Sequence, residues 1–201
     1  TAKIERKGVD SIMVPSYCRL IMASNHENIV SIEKDERRYL YLEVNEERKQ
    51  DHEYFTQLRK VIDDPNFGCQ LLQWLKDRDI TDFNPRVVPK TKALSEQKLD
   101  NLDPLERWLF SKLRDGTFNG SEWPVRESSN NITSNVEFWL EAKRLEVWGD
   151  ISRKLGHLLK KVGFNKFQTR QGNNRVWMWE IPPLEQVRDN FSQYLNAEIE
   201  Y

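Results

Sequence analysis

The chain opens with alternating apolar and polar positions. Over residues 4–14 (IERKGVDSIMV) this alternation predicts a β-hairpin, with Lys7 and Gly8 at its tip because glycine tolerates the positive φ of a tight turn. Two more strands are expected at about residues 18–24 and 38–44, the first an apolar run (CRLIMASN, residues 18–25) that reads as a buried strand ending in polar side chains. From Gln50 the period lengthens. Tyr54, Phe55, Leu58, Val61 and Ile62 recur at helical spacing, and Asp63, Asp64, Pro65 and Asn66 stop the run. Residues 67–76 predict a second amphipathic helix, with Leu71, Leu72, Trp74 and Leu75 on or near its apolar side.

A proline-bracketed connector, residues 84–90 (NPRVVPK), marks the best candidate boundary, since each proline pushes its predecessor toward extended geometry. Asp103 followed by Pro104 predicts an N-cap with proline at the first helical position, opening a helix striped with Leu105, Trp108, Leu109 and Leu113 and closed by Asp115 and Gly116. Residues 116–134 are polar and carry Gly, Ser and Asn, which predicts a mobile loop. Phe138, Trp139, Ala142 and Leu145 predict a helix over 137–146, and Gly149 with Asp150 supplies a turn and a cap. In the next helix Ile151, Leu155, Leu158, Leu159 and Val162 form the apolar side, leaving Arg153, Lys154, His157, Lys160 and Lys161 on the rest of its surface, and Gly163 ends it. Two strands, 164–169 and 176–181, follow around the loop Gln171, Gly172, Asn173 and Asn174. Helix, helix, two-stranded wing is the order of a winged helix-turn-helix.

Composition adds little at the level of the whole chain. Thirty-one Lys and Arg against 32 Asp and Glu in 201 residues give a net charge of -1. Distribution is more telling: residues 151–175 carry seven basic side chains and no acid, whereas residues 176–201 carry five acids and one Arg. A basic block of this kind can be a local nucleic-acid footprint inside a neutral protein. The two cysteines, Cys18 and Cys69, and the three histidines show no recurrent spacing, which argues against a disulfide framework, a zinc site and a histidine-centred hydrolase. The acids of residues 43–53 alternate with basic residues, as at a solvated helix entrance, and no metal is assigned to them. No run of 18 apolar residues and no signal segment occurs, so a cytoplasmic protein without membrane contact is expected.

Three stretches in order, KIERKGVDSIMV (3–14), LIMASNHEN (20–28) and DERRYLYL (35–42), resemble the second half of a superfamily 3 helicase of the phage and plasmid primase-helicase type. The similarity covers residues 1 to about 115 well and the remainder more loosely. It implies an α+β to mainly α protein with the C-terminal remnant of an AAA+-like ATPase sheet in residues 1–84, a helical connector and loop in 85–134, and a winged-helix domain in 135–201. It also implies an ATP-driven ring, most often a hexamer of identical copies, acting on single-stranded or forked DNA. In such a helicase the hairpin carries a basic DNA contact, matched here by Lys7 with Arg6 and Lys3 nearby. The sensor Asn matches Asn25, with Ser24 in the same motif, and the arginine finger matches Arg37 or Arg38.

Each of these residues also has a plainer reading. Arg37 and Arg38 can pair on the surface with Glu33, Asp35 or Glu36 for roughly 0 to 1 kcal/mol. Arg37 is the better finger, because alternation toward Tyr39 and Tyr41 puts the two arginines on different faces. Asn25 can satisfy its own backbone in a turn, and Lys7 can be a solvated turn lysine. In the wing, Lys166, Arg170 and Arg175 flank the loop tip and join Lys160 and Lys161 as candidate DNA contacts; Trp177 and Trp179 share a strand face and are more often core or interface than base-stacking residues. The chain departs from the family in having no phosphate loop of the Gly-x-x-x-x-Gly-Lys-Ser/Thr kind. It also begins without Met. It is therefore expected to be a C-terminal part of a larger enzyme, with ATP and Mg2+ held by the complete protein and none bound by this chain alone. Two rivals stand beside this reading: a stand-alone winged-helix regulator, and a protein-interaction module whose seven Trp are anchors.

Overall fold

A computed structural model describes residues 2–6, 8–16, 20–25, 34, 38–118, 120–172 and 174–201, with the backbone alone for Ala2, Arg6 and Val9. The described chain is α+β, with antiparallel sheets and a majority of helices. It divides into two units, Thr1–Ser31 and Ile32–Tyr201.

The first unit holds the expected hairpin. Strand β1 (Ala2–Arg6) pairs antiparallel with β2 (Val9–Val14), with partners running from Ala2 and Val14 to Arg6 and Val9 and a register shift between Ile4 and Arg6. Gly8 turns the tip at φ 81°, where a side chain would be strained. The strands expected at 18–24 and 38–44 are not formed by the described residues there, 20–24 and 38–44. Leu20, Ile21, Leu40 and Leu42 are all more than half exposed. An apolar run becomes a strand only when a neighbouring edge takes up its N–H and C=O groups. Here the carbonyl of Tyr41 instead accepts a hydrogen bond from Thr91 Oγ1 at 2.7 Å.

In the second unit, a 3-10 turn at Glu46–Arg48 leads to helix α1 (His52–Ile62), capped by Asp51 on the Tyr54 N–H, and then to α2 (Phe67–Asp77). Both lie where the periodicity puts them. Neither buries a residue.

The core lies further along. Helix α3 (Lys92–Asp100) opens on a Thr91 cap; α4 (Pro104–Asp115) opens on a full capping box, in which the Asp103 carboxylate accepts from the Leu105 and Glu106 N–H groups and Glu106 accepts from the Asp103 N–H. Strand β3 (Arg126–Ser128) runs straight into α5 (Ser129–Lys143), followed by α6 (Ile151–Lys161), β4 (Asn165–Gln171), β5 (Asn174–Glu180) and α7 (Leu184–Leu195). The three strands form one antiparallel sheet in the order β3-β5-β4. Helix α4 packs against α5, α6 and α7, and its Trp108, Leu109 and Leu113 are fully buried among Ile132, Val136, Leu159, Val187 and Phe191.

Residues 116–118 and 120–128 are tied into this core, contrary to the mobile loop expected there. Phe118 is buried and meets both Trp108 and Trp123 edge to face; the Trp123 indole N–H donates to the Pro182 carbonyl at 2.8 Å, and the Ile181 N–H donates to the Val125 carbonyl. Two aromatic anchors outweigh the polar composition of the segment. Helix α5 accordingly starts eight residues before the expected 137, capped by Ser128, so the expected boundary at 134/135 falls inside a helix.

Candidate functional site

The exposed side of α6 and the hairpin β4–β5 carry a group of exposed basic side chains. Asp150 caps α6 by accepting from the Arg153 N–H at 3.0 Å. Leu155, Leu158 and Leu159 then face the core, which turns Arg153, His157, Lys160 and Lys161 outward. Gly163, at φ 97°, ends the helix and lets the chain return as β4. A side chain there would also meet Asn190 Nδ2 at 2.7 Å, and that amide caps the helix end by donating to the Val162 carbonyl.

The hairpin is regular from Asn165 opposite Glu180 to Gln171 opposite Asn174. With Lys166 opposite Trp179, Gln168 opposite Trp177 and Arg170 opposite Arg175, alternation puts these six on one face. Trp179 anchors that face: it is buried, its indole N–H donates to Ser129 Oγ at 3.0 Å, and it lies against Gly156 of α6. The hairpin face thus continues outward from the flank of α6.

Among the described residues none of Arg153, Lys160, Lys161, Lys166, Arg170 and Arg175 takes part in an ion pair. The nearby acid of the sheet, Glu180, is held by Arg126 at 3.6 Å. Lys161 lies over the Tyr194 ring, 5.2 Å from its centroid, and Lys166 lies 5.4 and 5.3 Å from the Trp177 and Trp179 centroids.

Beside α6 lies a cleft of about 390 Å³ lined by Lys34, Asp103, Glu106, Lys154, His157 and Tyr194 among others. Its floor is a buried carboxylate: Glu106 is almost fully enclosed, pairs with Lys34 Nζ, and accepts from Tyr194 Oη at 2.6 Å. Burial pulls the Lys34 ammonium toward lower pKa, but hydrogen bonds to Glu106 and Tyr194 outweigh it and hold the group above its ordinary 10.5. Burial raises the Tyr194 phenol above its ordinary 10.0, and its hydrogen bond to Glu106 acts the same way. Asp103 is raised chiefly by burial, against the pull of the backbone donors of its cap. Close by, Lys98 is buried and donates to the carbonyls of Lys34, Leu195 and Asn196 at 2.8, 3.0 and 3.1 Å. Sequence reasoning missed Lys34, Lys98, Glu106 and Tyr194; the capping-box spacing of Asp103 and Glu106 was the one readable signal.

The candidates read from the N-terminal motifs fall partly outside the described residues. Lys7 and Arg37 lie outside the described residues, as does the side chain of Arg6. Lys3 is exposed and paired with Glu5 on the same strand. Asn25 sits in an exposed bend of the first unit, and Arg38 is exposed in the second. Around residues 43–53 the charges pair locally, Lys49 with Glu46 at 2.7 Å and Arg48 with Asp51 at 3.0 Å. No group of His, Cys, Asp and Glu able to hold a metal ion, and no helix long and apolar enough to cross a membrane, is found among the described residues. Compared with known proteins, the chain matches no family model, no curated protein and no solved structure.

Proposed function

We propose that residues 91–201 form a winged-helix module that binds DNA through α6 and the β4–β5 hairpin, and that the chain is the C-terminal part of a superfamily 3 helicase of the phage and plasmid type. The observation that carries the first half is the set of exposed cations on α6 and the hairpin that no carboxylate of the described residues neutralises. Phosphate contacts of this kind supply sequence-independent affinity, because each one releases condensed counterions from DNA. The element order α4, β3, α5, α6, β4, β5 and the strand order β3-β5-β4 support the winged-helix reading, with α6 as the helix presented to a groove and β4–β5 as the wing.

The helicase half rests on the three N-terminal motifs. In this reading Lys7, Arg6 and Lys3 on the β1–β2 hairpin grip backbone phosphate, and ATP and Mg2+ are bound by the complete enzyme. Arg37 or Arg38 meets the charge that develops on the transferred phosphoryl group of a neighbouring copy, and Asn25 orients the nucleotide or the attacking water. The apolar side chains that α1 and α2 leave exposed, among them Phe55, Leu72 and Trp74, are in keeping with association between copies in a ring.

The test is a binding titration of the whole 201-residue chain with fluorescent DNA at low salt. The wild-type chain is expected to bind, and replacing Lys160, Lys161 and Arg170 together by Glu is expected to abolish binding while circular dichroism stays unchanged. Wild-type affinity in that folded triple variant, or no binding by the wild-type chain, would defeat the proposal.

A further inference from the structure

Trp177 is set apart from the tryptophans that hold the core. Trp108 donates its indole N–H to Asn135 Oδ1, Trp123 to the Pro182 carbonyl and Trp179 to Ser129 Oγ. The Trp177 N–H makes no hydrogen bond with the described residues, and its side chain is 49% exposed against 2% for Trp179 two residues along. Two strand residues advance about 7 Å, so Trp177 stands one side-chain step beyond the cover that α6 gives Trp179. Exposing an indole of this size in water is unfavourable.

Its surroundings say what would cover it. The ring lies on a hairpin whose two strands pair along their length, opposite Gln168 and next to the Arg170 and Arg175 pair, with the Lys166 ammonium between it and Trp179. None of these cations is neutralised by a carboxylate among the described residues. An apolar protein partner would have to bury those charges. A nucleotide strand would not, because its phosphates answer the cations while a base answers the ring.

We infer that Trp177 is a stacking platform for an unpaired nucleobase, so that the module prefers single-stranded or frayed DNA to blunt duplex. In a closed duplex the base faces are covered by their neighbours, and only an unpaired or terminal base can offer one to the indole. Gln168 opposite the ring supplies both a donor and an acceptor to the base edge, and Arg170, Arg175 and Lys166 take the flanking phosphates. This inference rests on the nucleic-acid reading and adds to it the state of the strand.

The experiment compares the whole chain with its Trp177→Ala, Trp177→Phe and Arg170→Ala variants, each titrated with labelled oligothymidylate and with a blunt-ended duplex. Trp177→Ala is expected to weaken single-strand binding roughly tenfold, the size of one base stack, and duplex binding by less than about twofold. Trp177→Phe, which keeps a ring, is expected to recover most of the loss; Arg170→Ala is expected to weaken both ligands alike. Equal losses on the two ligands for Trp177→Ala, or no loss on either, would overturn the stacking role while leaving DNA binding in place. A wild-type chain that binds duplex only would do the same. A wild-type chain that binds neither ligand would remove the nucleic-acid reading itself, and a shared loss in the Trp177→Phe variant would mark the residue as structural.

Discussion

Helices α1 and α4 are both strongly amphipathic and nearly equal in length, yet they end in opposite situations. In α4 the apolar stripe of Trp108, Leu109 and Leu113 is fully buried, because α5, α6 and α7 close around it. In α1 the stripe of Tyr54, Phe55, Leu58, Val61 and Ile62 is at least 39% exposed at every position, and α2 repeats this with Leu71, Leu72, Trp74 and Leu75. Periodicity therefore specifies which side of a helix is apolar; whether that side is covered depends on what else the topology brings to it. Residues 91–201 supply their own cover, and residues 52–83 do not.

The widest separation between the two regions should come from truncating one apolar side chain in each. Trp108→Ala is expected to destabilise the C-terminal fold by about 3–5 kcal/mol, whereas Leu72→Ala in α2 is expected to change chain stability by less than about 0.5 kcal/mol, both read from denaturant unfolding. Comparable losses would mean that α2 is buried in solution. Glycines sharpen the same contrast with opposite signs. Gly163→Ala should cost more than about 1 kcal/mol, since φ is 97° and the methyl would meet the Asn190 amide at 2.7 Å. Gly68→Ala, on a helix with no atom within 4 Å of the new methyl, should be neutral or stabilising by up to about 1 kcal/mol.

The smallest effect expected is in alkali. Lys34 is held above 10.5 in the fold and Tyr194 above 10.0. For the lysine, the stabilisation is complete below its unfolded pKa and is lost as pH rises through the folded one. For the phenol, the unfolded chain releases its proton first. Both therefore weaken the fold as pH rises above about 10, on the ordinary values of the two groups. Melting curves between pH 9 and 11 should show this decline, and Glu106→Gln should flatten it; a pH-independent melting temperature in the wild-type chain would count against the Lys34, Glu106 and Tyr194 cluster.

Local signals in the sequence were reliable where the structure depends on local chemistry. Asp103 and Pro104 opened α4, Asp150 opened α6, Gly163 closed it, and Gly8 turned the first hairpin, all through groups within a few residues of one another. Where the deciding partner is distant, the signal failed. Helix α3 has little apolar pattern beyond Leu94 and Leu99, and its buried Lys98 is satisfied by carbonyls about a hundred positions away. Helix α7 went unread although Leu184, Val187, Phe191 and Leu195 carry helical spacing. Strands were expected at 18–24 and 38–44, and the described residues there pair with no strand. Of the candidate site, the basic face of α6 was legible from periodicity and the hairpin face from alternation. The Lys34, Glu106 and Tyr194 cluster was not, since its members are separated by 72 and 88 positions.

If the cations of α6 and the β4–β5 hairpin meet phosphate, the salt dependence of DNA binding is their most direct signature. The logarithm of the affinity of the 201-residue chain should fall linearly with the logarithm of salt concentration. Neutralising Lys160, Lys161 and Arg170 to Ala should lower that slope by roughly 0.7 to 0.9 for each phosphate that these side chains neutralise in the wild-type complex. An unchanged slope in the folded triple variant would contradict phosphate binding by this face.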